Sequence, residues 1–324
     1  MPVLRCRVSL AGKRSEFVMR QSFPFKKKRD LFPYLMLLPA WVIIFSITAY
    51  PFLYSLTLSF FDYSFLKQGM NFIGFKNYID ILRKGDFLSA LGFTLFWTVA
   101  NVLCMTLIAF AVALLLRQRF AGKGFLKATM LIPWVLPQVV TGYVFNLMLS
   151  TDYGIVNKLM QSVGILPVGF SWFAKPLPAR CAVLLANIWR GFPFIALMLY
   201  AKMQTVPSAY MEAASIDGAD GFGRFVYILL PYVSPVLFTC MMLTFLWSFN
   251  AFDIIKVMTD GGPLNTTDTL SLLVNREAFS YLEISRASTM AVIMLLILLS
   301  CAGGILLLKR LATWIHCSER KSAI

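Results

Sequence analysis

The chain alternates long apolar runs with short polar connections. Six apolar runs lie near residues 32–60, 88–116, 126–150, 180–203, 226–252 and 287–308. The runs have the length that a helix needs to cross a bilayer, roughly 20 residues, and they lack the alternation of apolar and polar residues typical of barrel strands. The pattern therefore predicts an all-α membrane protein with six transmembrane helices, the first of which is kinked at Pro51.

The composition excludes a soluble globular protein. Hydrophobic residues make up 59% of the 324 residues and charged residues only 14%, which is too little polar surface to cover a soluble domain of this length. The connections between the runs are short, and internal repeats are absent from the sequence. We therefore expect one transmembrane domain over residues 32–311, preceded by a basic tail (1–31) and followed by a short tail (312–324).

The positive charges predict the orientation in the membrane. Of the 30 Lys and Arg residues, 19 lie in or beside segments 1–31, 117–125, 204–225 and 309–324, and 10 lie on the opposite side. Cytoplasmic segments carry the excess of Lys and Arg, so both termini and the loop between the fourth and fifth spans (204–231) are expected in the cytoplasm. The net charge of +15 is concentrated on that side, which favours attraction to anionic lipid rather than a nucleic-acid partner.

Motifs for nucleotide, metal and nucleophile chemistry are missing from the sequence. No stretch has the form GxxxxGK[ST] that cradles nucleotide phosphates. The only histidine, His316, lies near the C-terminus, so neither a histidine-based catalytic set nor a metal site is expected. No span centre carries an acidic residue, which argues against a proton relay but leaves sodium coupling open. We therefore expect neither an enzyme nor a cofactor bound by this chain.

The cytoplasmic loop contains the polar stretch EAASIDGADGFGRFVYILLP at residues 212–231. Its pattern predicts two short helices. Thr205 is expected to cap the first helix, with Pro207 in its first turn, and Gly218 to end it in a left-handed conformation. Asp220 is expected to cap the second helix, which leads into the fifth span. An ordinary connecting loop with standard capping would have the same features, so the local pattern leaves its role open.

The same stretch also contains a sequence motif that is much more specific than its pattern of helix caps. The spacing is E-A-A, three residues, G, nine residues, then I-x-L-P, and it is matched without departure by Glu212, Ala213, Ala214, Gly218, Ile228, Leu230 and Pro231. FIGFKNY (72–78), DYGIVN (152–157) and TDGGPLNTTDTL (259–270) also look like external loops of the same group. From about residue 32 onward, the chain resembles permease subunits of bacterial ATP-binding-cassette sugar importers, of the MalF and UgpA type.

This resemblance implies a mechanism and a set of partners. It implies the type I importer permease fold in the inner membrane, a second homologous permease subunit (a heterodimer), two ATPase subunits that bind ATP and magnesium, and a periplasmic solute-binding protein. In this family the cytoplasmic loop docks on an ATPase subunit. The residues implied in that coupling are Glu212, Ala213, Ala214, Ser215, Asp217 and Gly218. The alternative is a secondary transporter or channel that works without ATP.

Polar and aromatic residues within the apolar runs are the candidates for a cargo path. They are Gln138 in the third run, Asn187, Trp189 and Arg190 in the fourth, and Trp247, Asn250 and Asp253 at the end of the fifth. A charge at the depth of Arg190 costs roughly 2.5–3.5 kcal/mol on insertion scales, so it should face the bundle interior or water. Arg190 either hydrogen-bonds helix carbonyls or contacts cargo, and Trp247 either anchors a span end or stacks on a sugar ring. If Arg190 faces the path, it favours an acidic saccharide such as an alginate oligomer.

Overall fold

A computed structural model describes residues 32–66 and 69–322 of the protein. The predicted N-terminal tail lies outside the described residues. The predicted C-terminal tail begins within the last helix, which continues to Ser322.

Helices form nearly all of the described chain. The helices are α1 (Phe32–Ile44), α2 (Tyr50–Leu58), α3 (Lys76–Arg83), α4 (Gly85–Arg117), α5 (Lys123–Val135), α6 (Gln138–Met148), α7 (Ile155–Ser162), α8 (Pro176–Gln204), α9 (Ser208–Ile216), α10 (Gly221–Arg224), α11 (Leu230–Phe249), α12 (Asp253–Met258), α13 (Leu270–Asn275) and α14 (Ile284–Ser322). Three π-helical turns lie at Phe45–Ala49, Phe225–Leu229 and Arg276–Ser280. Two short antiparallel strands, β1 (Phe61–Asp62) and β2 (Asn71–Phe72), pair Phe61 with Phe72.

The prediction of six transmembrane segments is confirmed, with one of them broken. Five helical segments of the described chain are long and apolar enough to cross a membrane. They are Tyr34–Leu58, Gly85–Arg117, Pro176–Gln204, Gly221–Phe249 and Ile284–Leu311. The sixth is the pair α5 and α6, which together pass the same test but are bent by 100° where they meet.

The prolines of the spans are accommodated in different ways. Pro133 lies inside α5 without ending it, and the break of the third span falls at Leu136 and Pro137. Leu136 is extended, as expected for a residue that precedes proline. Pro51 and Pro231 are each the second residue of the α-helix that follows a π-helical turn. A π turn re-spaces the carbonyls with which a proline ring would otherwise clash.

Helices α4 and α8 form the centre of the bundle and pack closely on each other. Their shared face is rich in alanine, and Ala109, Ala113, Ala182, Ala186 and Ala196 are all fully buried. Small residues allow helix backbones to approach each other, which favours packing within a membrane where no hydrophobic force drives association. A buried hydrogen bond of 2.7 Å from Asn187 Nδ2 to Asn101 Oδ1 joins the two helices beside this face.

Candidate functional site

A cavity of about 560 Å³ lies between the third, fourth and fifth spans. Six of the seven residues predicted for the cargo path line it: Gln138, Asn187, Arg190, Trp247, Asn250 and Asp253. Arg190 lies at the midpoint of α8, so the cavity reaches the middle of a spanning helix. Residues from three separate apolar runs therefore meet at one place.

Two interruptions of helical structure shape this cavity. Gln138 begins α6 directly after the break in the third span. Asp253 begins α12, which Asn250, Ala251 and Phe252 separate from the end of α11. Both breaks leave main-chain groups without a partner inside their own helix. Irregular backbone at membrane depth is tolerated where it is buried in protein or lines a water-filled cavity, and both breaks border this one.

Arg190 satisfies one of these main-chain groups. Its Nε donates a hydrogen bond of 3.1 Å to the carbonyl oxygen of Leu136, at the break between α5 and α6. Both interpretations of Arg190 therefore hold in part, because the side chain bonds a helix carbonyl and also lines the cavity. Asp253 places the opposite charge on the same cavity wall.

A row of three aromatic rings runs beside the cavity. Trp134 stacks on Phe194 with ring centroids 5.1 Å apart and an interplanar angle of 15°, and Phe194 lies 5.7 Å from Trp247. Trp134 and Trp247 also line the cavity. The row thus holds two indole rings in place next to the amide groups of Asn187 and Asn250, a mixture of aromatic and hydrogen-bonding surface.

Trp189 is the one predicted path residue that does not line the cavity. Its ring packs instead near Phe145, with centroids 5.6 Å apart. Adjacent residues on an α-helix point about 100° apart, and here Trp189 packs toward Phe145 while Arg190 lines the cavity. Sequence reasoning missed Met105, Thr244 and Ser248, which line the cavity. Thr244 could have been found from its spacing, since it lies three residues before Trp247 on α11.

The cytoplasmic loop contains the predicted turn between two helices. Helix α9 ends at Ile216, and Gly218 is in the left-handed region with a φ of 79°. The amide of Ala219 then bonds back to the carbonyl of Ala214 at 2.9 Å, which closes the helix end. Asp220 caps α10 as predicted, since its Oδ1 accepts a hydrogen bond of 2.7 Å from the amide of Gly223.

Two details of this loop differ from the prediction. Thr205 does not cap α9; it ends α8, where its hydroxyl donates to the carbonyl of Lys202 at 2.8 Å. Pro207 precedes α9 as its N-cap residue rather than lying in its first turn. The helix therefore starts later than the sequence suggested, because the extended Pro207 separates it from α8. The second helix leads into the fifth span as predicted, since α10 runs through a π-helical turn directly into α11.

The residues of the loop motif are accessible. Glu212, Ala213, Ser215, Asp217 and Gly218 are exposed, and Ala214 is partly buried. A groove of about 540 Å³ runs between α9 and the start of the fifth span, lined by Tyr210, Ala213, Ala214, Asp217, Tyr227, Ile228, Pro231 and Tyr232. The small side chains of the motif thus open a surface that another protein could contact at the backbone.

A hydrogen bond of 3.0 Å from Arg224 Nη1 to Ser215 Oγ ties the two helices of the loop together. The loop is also fastened to the fifth span, because the Tyr232 hydroxyl donates to the carbonyl of Thr205 at 2.8 Å. These bonds join α9 to α10 and the end of α8 to the fifth span, whose far end lines the cavity.

The matched family identifies the chain. Residues 105–316 match the family described as binding-protein-dependent transport system inner membrane component, a segment that contains the broken spans, the cavity residues from Met105 onward and the cytoplasmic loop. The chain belongs to this family. It is thus a permease subunit of the inner membrane, a transport component rather than an enzyme.

Similar proteins are permease subunits of importers. The permease is 34% identical over 249 residues to the trehalose/maltose transport system permease protein MalF of Thermococcus litoralis, covering 76% of this chain and 82% of that protein. It is 33% identical over 262 residues to the sulfoquinovosyl glycerol transport system permease protein SmoG of Agrobacterium fabrum, covering 80% and 84%.

A solved structure has the same fold. The crystal structure of a bacterial alginate ABC transporter, in complex with an alginate pentasaccharide-bound periplasmic protein, contains a chain that matches with a TM-score of 0.72 and 23% identity. The match covers 85% of the permease and 93% of that chain. The permease therefore has the type I importer permease fold, as the sequence motif implied.

Proposed function

We propose that the permease forms half of a path for saccharides and is driven by ATP hydrolysis on separate subunits. The observation that carries the proposal is the convergence of residues from three separate spans on one cavity at membrane depth. Family membership disfavours the alternative of a secondary transporter or channel. The cargoes in the names of MalF (the disaccharides trehalose and maltose) and SmoG (the sugar derivative sulfoquinovosyl glycerol) support a saccharide.

The chemistry of the cavity fits a polyhydroxylated cargo. Sugars present apolar ring faces and a rim of hydroxyl groups, and the cavity offers the indole rings of Trp134 and Trp247 beside the amides of Gln138, Asn187 and Asn250. Binding sites of this kind combine apolar walls with a few polar groups that fix orientation. The row Trp134–Phe194–Trp247 holds the indoles in place before cargo arrives.

A carboxylate on the cargo is favoured by the free donors of Arg190. Its Nε is engaged by Leu136, while within the described residues its two Nη groups donate to no other group. A guanidinium presents paired N–H donors that match a carboxylate. We therefore keep an acidic saccharide, such as a uronate oligomer of the alginate type, as the more specific proposal. Asp253 lines the same cavity and offsets part of the positive charge of Arg190. A neutral saccharide is therefore the competing proposal for the cargo.

The cytoplasmic loop is the proposed docking site for an ATPase subunit, through which ATP hydrolysis would move the spans. Exposed Glu212 and Ala213 and the open groove beside α9 supply a surface for an ATPase subunit. The Arg224–Ser215 and Tyr232–Thr205 hydrogen bonds connect that surface to the fifth span. ATP and magnesium would be bound by the partner subunits. A second, homologous permease subunit would complete the path as a heterodimer.

Reconstitution in proteoliposomes tests the proposal. The permease would be co-purified with its ATPase subunits and second permease, and uptake of radiolabelled neutral and uronate oligosaccharides measured with the solute-binding protein present. We expect uptake that requires ATP and the binding protein. Uptake without ATPase subunits would overturn the ATP-driven mechanism. If only neutral saccharides are taken up, and Arg190→Gln takes them up at the same rate, the proposal of an acidic cargo is wrong. The ATP-driven mechanism would not be affected by that result.

A further inference from the structure

A second groove, of about 500 Å³, lies where the end of the second span meets the cytoplasmic loop. Its walls come from the last turn of α4, from α9 and α10, and from the π-helical turn that opens the fifth span. The lining residues are Leu114, Arg117, Gln118, Met211, Gly221, Arg224, Phe225 and Leu229. We call it the arginine groove. It shares no lining residue with the groove beside the loop motif, so the two are separate surfaces.

The two arginines of this groove have no carboxylate partner. Within the described residues, Arg117 is exposed and forms no hydrogen bond or ion pair. Arg224 donates to the Ser215 hydroxyl at 3.0 Å and to the Asp220 carbonyl at 3.4 Å, which are both uncharged acceptors. The Asp220 carboxylate instead caps the amide of Gly223. Two guanidinium groups therefore line one groove without a negative charge from the described chain to balance them.

Arginines elsewhere in the protein are neutralised by the chain itself. Near the opposite end of the bundle, Arg276 contacts Asp268 in a bidentate arrangement, with Nη1 to Oδ2 at 2.7 Å and Nη2 to Oδ1 at 2.9 Å. The arginine groove offers the same kind of donor, and no acidic residue is among the described residues that line it. An anion from outside the chain would complete it.

An apolar stripe leads from the arginine groove along α4. It consists of Leu103, Leu107, Phe110 and Leu114, which follow at intervals of four, three and four residues and so share one helix face. Leu103 and Leu107 are 53% and 70% exposed, whereas Met105 and Ala109 on the opposite face are buried in the bundle. At 1.5 Å per residue the stripe is roughly 16 Å long, about half of a hydrocarbon core of about 30 Å. The stripe therefore has the length of one leaflet.

The stripe and the groove form one continuous surface. Leu114 belongs to both, and Phe110 contacts Phe225 of the groove edge to face, with ring centroids 5.7 Å apart. Positive charge at one end and exposed apolar side chains along the rest match the polarity of a phospholipid, which has a charged headgroup and long acyl chains.

We propose that the arginine groove binds an anionic phospholipid of the cytoplasmic leaflet, with its phosphate between Arg117 and Arg224 and an acyl chain along the apolar stripe. A phosphate supplies the missing negative charge and matches the paired donors of a guanidinium. The acyl chain covers the exposed stripe, which a free phosphate or an acidic peptide would leave uncovered. The surface of the cytoplasmic leaflet is the one that anionic lipids make negative.

A lipid in this groove would hold the cytoplasmic loop at the membrane surface. Arg224 lies on α10 and bonds Ser215 on α9, so its guanidinium joins both helices of the loop. Its Nη2 has no acceptor within the described residues and is free to bond a phosphate oxygen. One side chain would therefore connect the headgroup to α9, which carries Glu212, Ala213 and Ala214 of the loop motif.

Photolabelling of the complete complex of both permease subunits and the ATPase subunits tests the proposal. The complex would be placed in phosphatidylcholine nanodiscs with a small share of phosphatidylglycerol that carries a diazirine in one acyl chain, and adducts would be mapped by mass spectrometry. We expect an adduct on residues 103–114. Arg117→Gln and Arg224→Gln should each lower its yield about fivefold, the ratio expected for one arginine near an anionic headgroup.

Two variants serve as controls, and both should keep the adduct yield of the unmutated complex. Arg119→Gln removes an exposed charge from the same connection, at a residue that does not line the groove. Ser215→Ala removes the hydrogen bond to Arg224 but keeps both guanidinium groups, so it separates a loosened loop from a lost charge.

The result that would overturn the inference can be obtained without any variant. A phosphatidylcholine probe with the same diazirine should label residues 103–114 much less than the phosphatidylglycerol probe in the unmutated complex. Equal labelling by the two probes would show that the stripe takes any lipid, and the inference would be wrong. Loss of the adduct in excess inorganic phosphate would show a site for free phosphate instead. Unchanged yields in both Arg117→Gln and Arg224→Gln would exclude the arginines as the headgroup site.

Discussion

Arg190 Nε donates a hydrogen bond of 3.1 Å to the carbonyl oxygen of Leu136. The bond joins the centre of the fourth span to the point where the third span breaks. The side chain of Arg190 therefore stabilises the broken third span. The same guanidinium also lines the cavity. Geometry of this kind places a charge at membrane depth without leaving it unpaired.

We predict that Arg190→Ala destabilises the permease. The substitution leaves the part-buried Leu136 carbonyl without its partner. Because a fully buried unsatisfied acceptor costs about 1–3 kcal/mol, we expect a loss of about 1 kcal/mol here. Unfolding in mixed micelles titrated with SDS would measure the loss. Asn250→Ala is the control, because Asn250 Nδ2 bonds an exposed carbonyl of its own helix at Leu246, and a change within about 0.5 kcal/mol is expected. Equal losses for the two variants would contradict the role of the Leu136 bond.

A double-mutant cycle should reveal coupling between Asn101 and Asn187. Asn187→Leu leaves Asn101 Oδ1 without its donor, although Asn101 Nδ2 keeps its bond to the Trp97 carbonyl. Asn101→Leu leaves Asn187 Nδ2 without its acceptor, whereas the double substitution removes both partners. Interhelical hydrogen bonds of this kind contribute about 0.6 kcal/mol on average and up to about 1.7 kcal/mol in membranes. We therefore expect the double variant to be less destabilised than the sum of the two single variants. Simple additivity in the same SDS titration would show that the 2.7 Å contact contributes nothing.

Trp247→Ala and Trp189→Ala should have different effects on uptake of cargo, because only Trp247 belongs to the aromatic row beside the cavity. Trp247→Ala should raise the half-saturating cargo concentration about five- to tenfold, because a lost aromatic contact of about 1–1.5 kcal/mol corresponds to that ratio. Trp189→Ala serves as the comparison, since Trp189 packs near Phe145 and does not line the cavity. Initial uptake rates in proteoliposomes give both values. A larger effect at Trp189 than at Trp247 would place the cargo outside the cavity described.

Gly218→Val should lower the amount of cargo taken up for each ATP hydrolysed. Gly218 has a φ of 79°, where a side chain costs about 1–2 kcal/mol, so α9 should tilt relative to α10. Gly122→Val is a matched control: Gly122 has a φ of 85° in another cytoplasmic connection, and a Cβ meets no atom within 4 Å at either glycine. We expect the ratio of cargo molecules transported per ATP hydrolysed to fall in Gly218→Val only. A similar fall in both variants would attribute the effect to general strain instead of the loop motif.

Much of the fold was readable from the sequence because a bilayer imposes simple requirements. Backbone groups in lipid must be bonded within their own segment, so apolar runs of sufficient length predicted all six spanning segments. The turn at Gly218 and the cap at Asp220 were equally readable, because both depend on neighbours within four residues. Thr205 shows that even local prediction of helix caps can fail, since a threonine suits the end of one helix as well as the start of the next.

By itself, the sequence determined the class of protein, its family and the polar residues within its spans, and it predicted the orientation in the membrane. Only the tertiary structure decided which of those residues meet. It separated Trp189 from Arg190, brought Gln138 and Asp253 to one cavity, and paired Asp268 with Arg276 in the connection that follows α12. The physical reason is that helix formation depends on local residues, whereas a site between spans depends on how helices rotate and break when they pack.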